Sequence, residues 1–318
     1  MPLPSSQHMM PHVPRTYRYH RVDVFTDQPL TGNPLAVFPD ARGLDTDEML
    51  AIAREMNLSE TVFCLPPSNS ASDIRLRIFT IDRELPLAGH PVVGTHFVLA
   101  ATGRYTLAEP VTIVRTELLA GIFPAEVLVE AGLPKAVVMT QRTPCFAPTL
   151  QDLRLVAEAL GLRNDQVGPG DLPARVVDTG VPWLVVPVVD LRALAAISPD
   201  PALCRRLSEI AGTDLIYAFT LDTNDQSAAA RARHVWFGNA TPGEDPVTGS
   251  AAGCLASYLV FQGVLLAAPK VEVLIEQGVE VGRRGLVSAF VDAVGTRVER
   301  VRVGGSAVHV GDGELRIG

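Results

Sequence analysis

Two short segments of the sequence combine polar side chains with the start of an apolar helix. The first is Gly89-His90-Pro91, which follows a predicted strand and opens the apolar segment 92–100. A helix that is apolar on every side is typical of a protein core. Its first turn has backbone N–H groups without intrahelical partners, and these groups together with the helix dipole favour an anion. We therefore expect a carboxylate or phosphate to bind beside Gly89 and His90.

The second segment, residues 244–253, has the sequence EDPVTGSAAG and also leads into an apolar stretch. Gly249 and Ser250 would expose backbone N–H groups beside a hydroxyl, which suits a carboxylate. A purely structural interpretation is also open, with Asp245 as the N-cap of a helix and Pro246 as its first residue. Our hypothesis is that the two helix starts face one ligand.

The local pattern alone does not make either titratable residue a catalyst. A tight strand-to-helix turn, with proline at the first helical position, explains Gly89 and Pro91 but gives no reason for His90. A lone histidine is more often a core residue with satisfied hydrogen bonds, although its place at a helix start favours a functional role. Glu60 is preceded by Leu58 and Ser59, and it fits a solvated residue at the start of a strand.

Composition and motifs exclude several other classes of protein. A formal charge of −8 without a basic run argues against nucleic acid, and no apolar segment is long enough to span a bilayer. P-loop, dinucleotide-binding and Gly-x-Ser-x-Gly motifs are absent. His90 and His96 are six residues apart and no His-Glu-x-x-His occurs, so we predict no metal site.

The N-terminal residues and the cysteines bear on the cellular compartment of the protein. Residues 1–16 lack the apolar middle of a signal peptide, so we expect a disordered tail. The four cysteines are far apart and form no Cys-x-x-Cys, which favours small buried residues in a reducing cytoplasm over a disulfide framework.

The pattern of elements repeats once along the chain and predicts an α+β protein. Each half contains several strands, a peripheral helix, a strand leading to a Gly-rich turn and a buried helix, and then more strands. The peripheral helices are predicted at residues 45–57, where Asp45 and Glu48 form a capping box, and at residues 149–160. We expect two similar domains with a ligand in the cleft between them.

Six ordered segments resemble the phenazine biosynthesis PhzF-like isomerase family, within the diaminopimelate epimerase-like superfamily. The resemblance runs from about residue 18 to the C-terminus. The segments are TGNPLAVF (31–38), AREMNLSE (53–60), RIFT (77–80), ELPLAGHP (84–91), EDPVTGSAAG (244–253) and QGVEVG (277–282).

The resemblance implies a diaminopimelate epimerase-like fold with a mostly antiparallel sheet curled around a central helix in each domain. The first domain would span residues 17–135 and be joined by the C-terminal strand, residues 304–318. The second domain would span residues 136–303. The resemblance also implies a homodimer that needs no metal and no organic cofactor.

The family isomerises trans-2,3-dihydro-3-hydroxyanthranilate by moving a proton between ring carbons. By resemblance, the catalytic glutamate is Glu60, the site histidine is His90 and the site aspartate is Asp245. The resemblance implies a small, carboxylated, cyclic substrate. The substrate-binding residues would be Gly89, Thr248, Gly249 and Ser250.

Two alternative functions remain open. The superfamily includes amino-acid epimerases and racemases that use one cysteine at each helix start, and the corresponding positions here are Ala88 and Thr248. The absence of both thiols disfavours that chemistry. A non-catalytic small-molecule binder with the same fold is the other alternative.

Overall fold

A computed structural model of the chain describes residues 14–238, 243–266 and 271–317. Residues 1–13 of the predicted tail lie outside the described residues. Its last two residues, Arg15 and Thr16, already belong to the first strand. Within the described ranges, no helix is both long and apolar enough to cross a membrane.

The described part of the first half contains eight strands and two α-helices, with two or three strands between successive helices and at the ends. Their bounds are β1 (Arg15–Val24), β2 (Asn33–Phe38), α1 (Thr46–Met56), β3 (Glu60–Leu65), β4 (Ile74–Phe79), β5 (Glu84–Leu85), α2 (Gly89–Ala101), β6 (Val111–Leu118), β7 (Gly121–Glu130) and β8 (Leu133–Thr140).

The second half follows the same plan with additional short helices. Its α-helices and strands are β9 (Cys145–Thr149), α3 (Leu153–Ala159), β10 (Arg175–Asp178), β11 (Pro182–Pro187), α4 (Leu191–Ala196), α5 (Pro201–Ala211), β12 (Ile216–Thr220), β13 (Ala230–Val235), α6 (Gly249–Phe261), β14 (Val271–Gln277), β15 (Gly285–Val294), β16 (Arg297–Gly305) and β17 (Ala307–Ile317).

The pairing of the strands repeats between the halves. In the first half, β2 and β3 are parallel across α1, and β4 and β6 are parallel across α2. In the second half, β11 and β12 are parallel across α4 and α5, and β13 and β14 are parallel across α6. The other pairings are antiparallel, and the predicted α+β class is confirmed.

The two apolar segments form the central helices that the sequence predicts. In α2, 10 of 13 residues are buried, and in α6, 11 of 13 residues are buried. Helix α2 contacts β1, β2, β3, β7, β8, β16 and β17, whereas α6 contacts β10, β11, β15 and β16. Because each helix is apolar on all sides, the sheet can curl around it without leaving an apolar face in water.

Helix α1 shows how the chain delivers Glu60 to its position. Asp45 and Glu48 form the predicted capping box, and Met49, Ile52 and Ala53 are buried on one face. The left-handed conformation of Asn57, with φ 49°, ends the helix, and β3 then begins at Glu60. Asparagine tolerates this conformation better than most residues do, so local sequence fixes the turn before Glu60.

The region near residues 133–160 differs from the prediction. The helix predicted at 149–160 begins only at Leu153, because Asp152 caps it, and residues 145–149 form β9. Strand β8 was not predicted, and the expected domain boundary between residues 135 and 136 falls inside it. This strand pairs with β7 and with β16, and so it joins the halves.

The C-terminal strand β17 returns to the first half and pairs antiparallel with β1 over its length. The division into residues 17–135 with 304–318, and 136–303, stays a proposal.

Candidate active site

The first turns of the two central helices lie next to each other. An ideal Cβ placed on Gly89 would lie 3.8 Å from the backbone nitrogen of Ser250 and 4.0 Å from Cα of Gly249. The N-caps are Ala88 for α2 and Thr248 for α6, and neither side chain caps its helix. Two sets of unpaired N–H groups therefore point into one region, which favours an anion there.

Neither helix starts where a purely structural interpretation of the sequence places it. Pro91 is the third residue of α2 and not the first, and α6 begins at Gly249, so Asp245 and Pro246 precede it. The Asp245 carboxylate is not a helix cap because it accepts hydrogen bonds from the side chains of Asn33 and Thr248.

Glu60 and His90 face each other in a nearly dry site. Oε2 of Glu60 lies 3.3 Å from Nε2 of His90, and their side chains are 16% and 6% exposed. Within the described part of the chain, neither of these atoms has a hydrogen-bond partner. Buried polar atoms are rarely left unpaired, so a polar group of a bound molecule is the natural partner for both.

Burial sets the protonation states of this pair. It lowers the pKa of His90 to about 3, so the imidazole is neutral at physiological pH and the contact with Glu60 is not an ion pair. Burial also raises the pKa of Glu60 well above its ordinary value, and the nearby charge of Asp245 raises it further. A carboxyl group with a raised pKa can both accept and return a proton near neutral pH.

Asp245 connects the two halves at the floor of the site. Its Oδ1 accepts from Nδ2 of Asn33 at 2.7 Å and from Oγ of Ser59 at 3.4 Å, while its backbone N–H donates to Nδ1 of His234 at 3.0 Å. Burial raises the pKa of Asp245, although hydrogen bonds from Thr248, Asn33 and Ser59 oppose the shift. Glu60 and Asp245 therefore compete for ionisation, as two carboxyl groups in a low-dielectric site do.

Two buried amide side chains hold the site together, and the sequence indicated no role for either. Nδ2 of Asn33 donates to Asp245 and to the carbonyl oxygen of Val247 at 2.8 Å, and it lies 3.3 Å from Nδ1 of His90. Oε1 of Gln277 accepts from the backbone N–H of Thr248 at 2.9 Å, and its Nε2 donates to the carbonyl oxygen of Asp245 at 2.9 Å. Asn33 lies in the motif segment 31–38 and Gln277 in the motif segment 277–282, and these positions were the signal that could have identified the two residues.

Trp183 and His234 were also missed, and they form an aromatic wall beside Ser250. Nε1 of Trp183 donates to Oγ of Ser250 at 3.1 Å. The indole ring meets the His234 ring edge-on, with centroids 5.4 Å apart. Since Oγ accepts from Trp183, the Ser250 hydroxyl hydrogen is free to point at an acceptor on a bound molecule.

The cysteines do not offer an activated thiolate to this site. All four are unpaired, and burial raises the pKa of both Cys64 and Cys254 to about 12. Cys254 donates its thiol hydrogen to the carbonyl oxygen of Val177 at 3.2 Å. Thiols in this state are poor nucleophiles and poor bases.

The sequence and the fold match those of one isomerase family. The model of the family described as phenazine biosynthesis-like protein matches residues 22–313, and the chain belongs to this family. An uncharacterised isomerase of Mesorhizobium japonicum is 37% identical over 317 residues, which cover 95% of this chain and 100% of that relative. Trans-2,3-dihydro-3-hydroxyanthranilate isomerase of Pseudomonas chlororaphis is 35% identical over 301 residues, which cover 94% and 99% of the two chains.

Solved structures agree with this assignment. The crystal structure of a PhzF-family phenazine biosynthesis protein of Bacillus anthracis superposes with a TM-score of 0.83 at 30% identity, covering 95% of this chain and 100% of that one. A hydroxyproline epimerase from Agrobacterium vitis superposes with a TM-score of 0.63 at 15% identity, covering 95% and 93%, and shares the fold alone. The protein is therefore an isomerase of the PhzF type.

Proposed function

We propose that the protein moves a proton between carbon atoms of a small, carboxylated, cyclic substrate, as trans-2,3-dihydro-3-hydroxyanthranilate isomerase does. The observation that carries this proposal is the unpaired pair of atoms, Oε2 of Glu60 and Nε2 of His90, beside two uncapped helix starts. The pair can transfer a proton, and the helix starts can hold an anion.

The substrate carboxylate binds between the helices in this proposal. Gly89, Gly249 and Ser250 supply backbone N–H groups near the contact between the helices, and the Ser250 hydroxyl adds a further donor. Thr248 acts mainly by fixing Asp245 through its hydroxyl. Anchoring the carboxylate places the ring of the substrate against Glu60 with little loss of freedom at the reacting step.

Glu60 is the group that exchanges a proton with carbon. Its carboxyl group takes a proton from one ring carbon and returns a proton to another, so no atom is gained or lost overall. The raised pKa matters because an ordinary carboxylate is too weak a base for carbon at neutral pH. Nε2 of His90 contacts Oε2 of Glu60, so His90 can hold the mobile proton or a polar group of the substrate.

Proton exchange in heavy water tests this function. The purified protein is incubated with trans-2,3-dihydro-3-hydroxyanthranilate in D₂O, and ring-proton signals are followed by NMR. We expect isomerisation with deuterium at the ring carbon that receives the proton. A substrate that keeps all its ring protons and its double-bond positions would contradict this substrate class.

Independence from metal and organic cofactors is part of the proposal. Exhaustive dialysis against a chelator should leave the rate unchanged, and restoration by an added metal or cofactor would contradict it. Thiol alkylation should likewise leave activity intact, because the helix-start positions hold Ala88 and Thr248. Inactivation by alkylation of Cys64 or Cys254 would instead support the epimerase alternative.

The resemblance also supports a homodimer and a cytoplasmic location, and the four unpaired cysteines suit a reducing compartment. Light scattering on a sizing column should give a mass near twice the 34.0 kDa of one chain. Cell fractionation tests the location.

A further inference from the structure

Three potential metal ligands meet at the surface of the first and last strands. His20 lies on β1, and His309 and Asp312 lie on β17. His20 pairs directly with Asp312 across the two strands, while Val22 pairs with His309. None of the three belongs to the proposed active site.

A β-bulge brings the three side chains to one place. The register shifts between Arg21 and Val22, because Gly311 pairs with Arg21 and His309 pairs with Val22, which leaves Val310 unpaired. On a regular strand, residues three apart point to opposite faces. The extra residue of the bulge allows His309 and Asp312 to approach the same neighbour, His20.

One nitrogen of each imidazole ring lies close to the same carboxylate oxygen. Oδ1 of Asp312 lies 2.6 Å from Nδ1 of His20 and 2.9 Å from Nε2 of His309. The potential ligand atoms of the three residues all lie within 4.8 Å of one another. The imidazole rings meet edge-on, with an interplanar angle of 82°, so both nitrogens can face a single point.

The donor set favours transition metals over calcium and magnesium. Imidazole nitrogens suit zinc, copper and nickel, whereas calcium and magnesium take oxygen ligands. Since Zn–N bonds are about 2.0–2.1 Å, ligand atoms around one ion lie about 3–3.4 Å apart, which small side-chain rotations from the observed distances would reach. Asp312 is 65% exposed, so water can complete the coordination.

No lysine or arginine side chain of the described residues pairs with the Asp312 carboxylate. Among the ion pairs of the described residues, Asp312 contacts only the two histidines. A divalent ion would replace these contacts with bonds to the two imidazole rings and to the carboxylate.

We propose that His20, His309 and Asp312 bind one divalent transition-metal ion, such as Zn²⁺, at the surface. The ion would join strands at the two ends of the chain, since His20 and Asp312 are 292 residues apart in sequence. It binds the folded chain and not the unfolded one, because unfolding separates the ligands. Bound metal therefore stabilises the pairing of β1 with β17.

Calorimetric titration with ZnCl₂ tests the site. The full chain is used with His8→Ala and His12→Ala, which removes the other histidines near the N-terminus. We expect one Zn²⁺ per chain and, at saturation, a rise in melting temperature on the order of 5 °C. Asp312→Asn should weaken binding at least tenfold. Glu314→Gln is the matched control, since Glu314 is an exposed carboxylate two residues along β17, and it should leave the affinity unchanged.

Spectroscopy and a second variant identify the ligands. Bound Cu²⁺ should show nitrogen coupling in its electron paramagnetic resonance spectrum, and His309→Ala should reduce that coupling. Mg²⁺ should not compete with Zn²⁺. The proposal is overturned if Zn²⁺ does not bind, or if binding survives both Asp312→Asn and His309→Ala unchanged. The isomerase rate is not a readout here, so this result is independent of the proposed function.

Discussion

Helix α2 carries two buried histidines, His90 and His96, in two very different settings. Burial lowers the pKa of each to about 3. At His96 both ring nitrogens have partners, the Tyr105 hydroxyl at 2.9 Å and the Thr116 hydroxyl at 2.7 Å. At His90, Nε2 has no hydrogen bond within the described ranges and lies opposite the Glu60 carboxyl group. The unpaired atom, and not the pKa, distinguishes His90, for which we propose a functional role, from His96.

Cavity size does not indicate which end of α2 carries the proposed chemistry. A cavity of about 650 Å³ lies near the C-terminal end of the helix and is lined in part by Cys64, Leu99 and Tyr105. The proposed chemistry lies at the opposite end, where the side chains are buried. The comparison predicts that substitutions at the His90 end change the reaction, whereas those at the His96 end change stability.

Among substitutions at the two ends of α2, His90→Gln should have the largest effect, which is a fall in the reaction rate. Glutamine keeps a polar side chain of similar reach but cannot exchange a proton with Glu60 at neutral pH. We expect kcat to fall about 10²–10⁴-fold, the usual contribution of one acid–base group. Steady-state kinetics measure this, and a melting curve shows that the variant is folded. A rate within threefold of wild type would remove His90 from proton transfer.

His96→Ala should instead destabilise the protein. The substitution leaves a cavity and removes the imidazole partner of two hydroxyl groups, those of Tyr105 and Thr116. We expect the free energy of unfolding to fall by about 2–4 kcal/mol, with kcat of the folded enzyme unchanged. Urea unfolding and kinetics at low temperature measure the two quantities. A loss of kcat without loss of stability would reverse the comparison.

Gly89→Ala tests the proposed anion site at the start of α2. The new methyl group fits, since its nearest neighbour is the backbone nitrogen of Ser250 at 3.8 Å, but it occupies the space between the helix starts. We expect KM to rise about 10- to 100-fold through lost charge-assisted hydrogen bonds, with no loss of stability. An unchanged KM would place the substrate carboxylate elsewhere.

Acid should weaken the fold gradually through the buried histidines, His96 among them. Its pKa is about 3 in the folded chain against an ordinary 6.5, so its contribution is complete above pH 6.5 and is lost as pH falls toward 3. The unfolded chain binds the proton first, and the expected slope is about 1.4 kcal/mol per pH unit for each such histidine. Glu60 and Asp245 oppose this slope, because the pKa of each is raised in the folded chain.

The slope difference between His96→Gln and wild type is therefore the quantity to measure. Urea unfolding at pH 7, 6 and 5 should give a shallower decline for the variant. Equal slopes would show that His96 is not a neutral buried imidazole in the folded protein.

Features governed by neighbouring residues were predictable from the sequence. Asp45, Glu48 and Asn57 fixed the start and end of α1, and apolar composition identified the buried helices α2 and α6. Glu60 was assigned only through family resemblance, because its local setting resembles that of an ordinary strand residue. The interpretation of Asp245 as an N-cap was wrong, since its carboxylate accepts hydrogen bonds from the side chains of Thr248 and of the distant Asn33.

Contacts between distant segments were not predictable. Asn33 and Asp245 are separated by 212 residues, and His20 and Asp312 by 292 residues. A search for local metal motifs cannot find ligands on two terminal strands whose register depends on a bulge. Strand β8 was missed for a related reason, since its partners β7 and β16 decide that it is a strand.

The central claim is that Glu60 carries the mobile proton, and one measurement tests it most directly. Glu60→Gln and the matched control Glu55→Gln, an exposed residue of α1, are each mixed with trans-2,3-dihydro-3-hydroxyanthranilate in D₂O. We expect Glu60→Gln to lose at least a thousandfold in deuterium incorporation, because the amide cannot accept the proton, while Glu55→Gln keeps the wild-type rate. Wild-type exchange by Glu60→Gln would contradict the account.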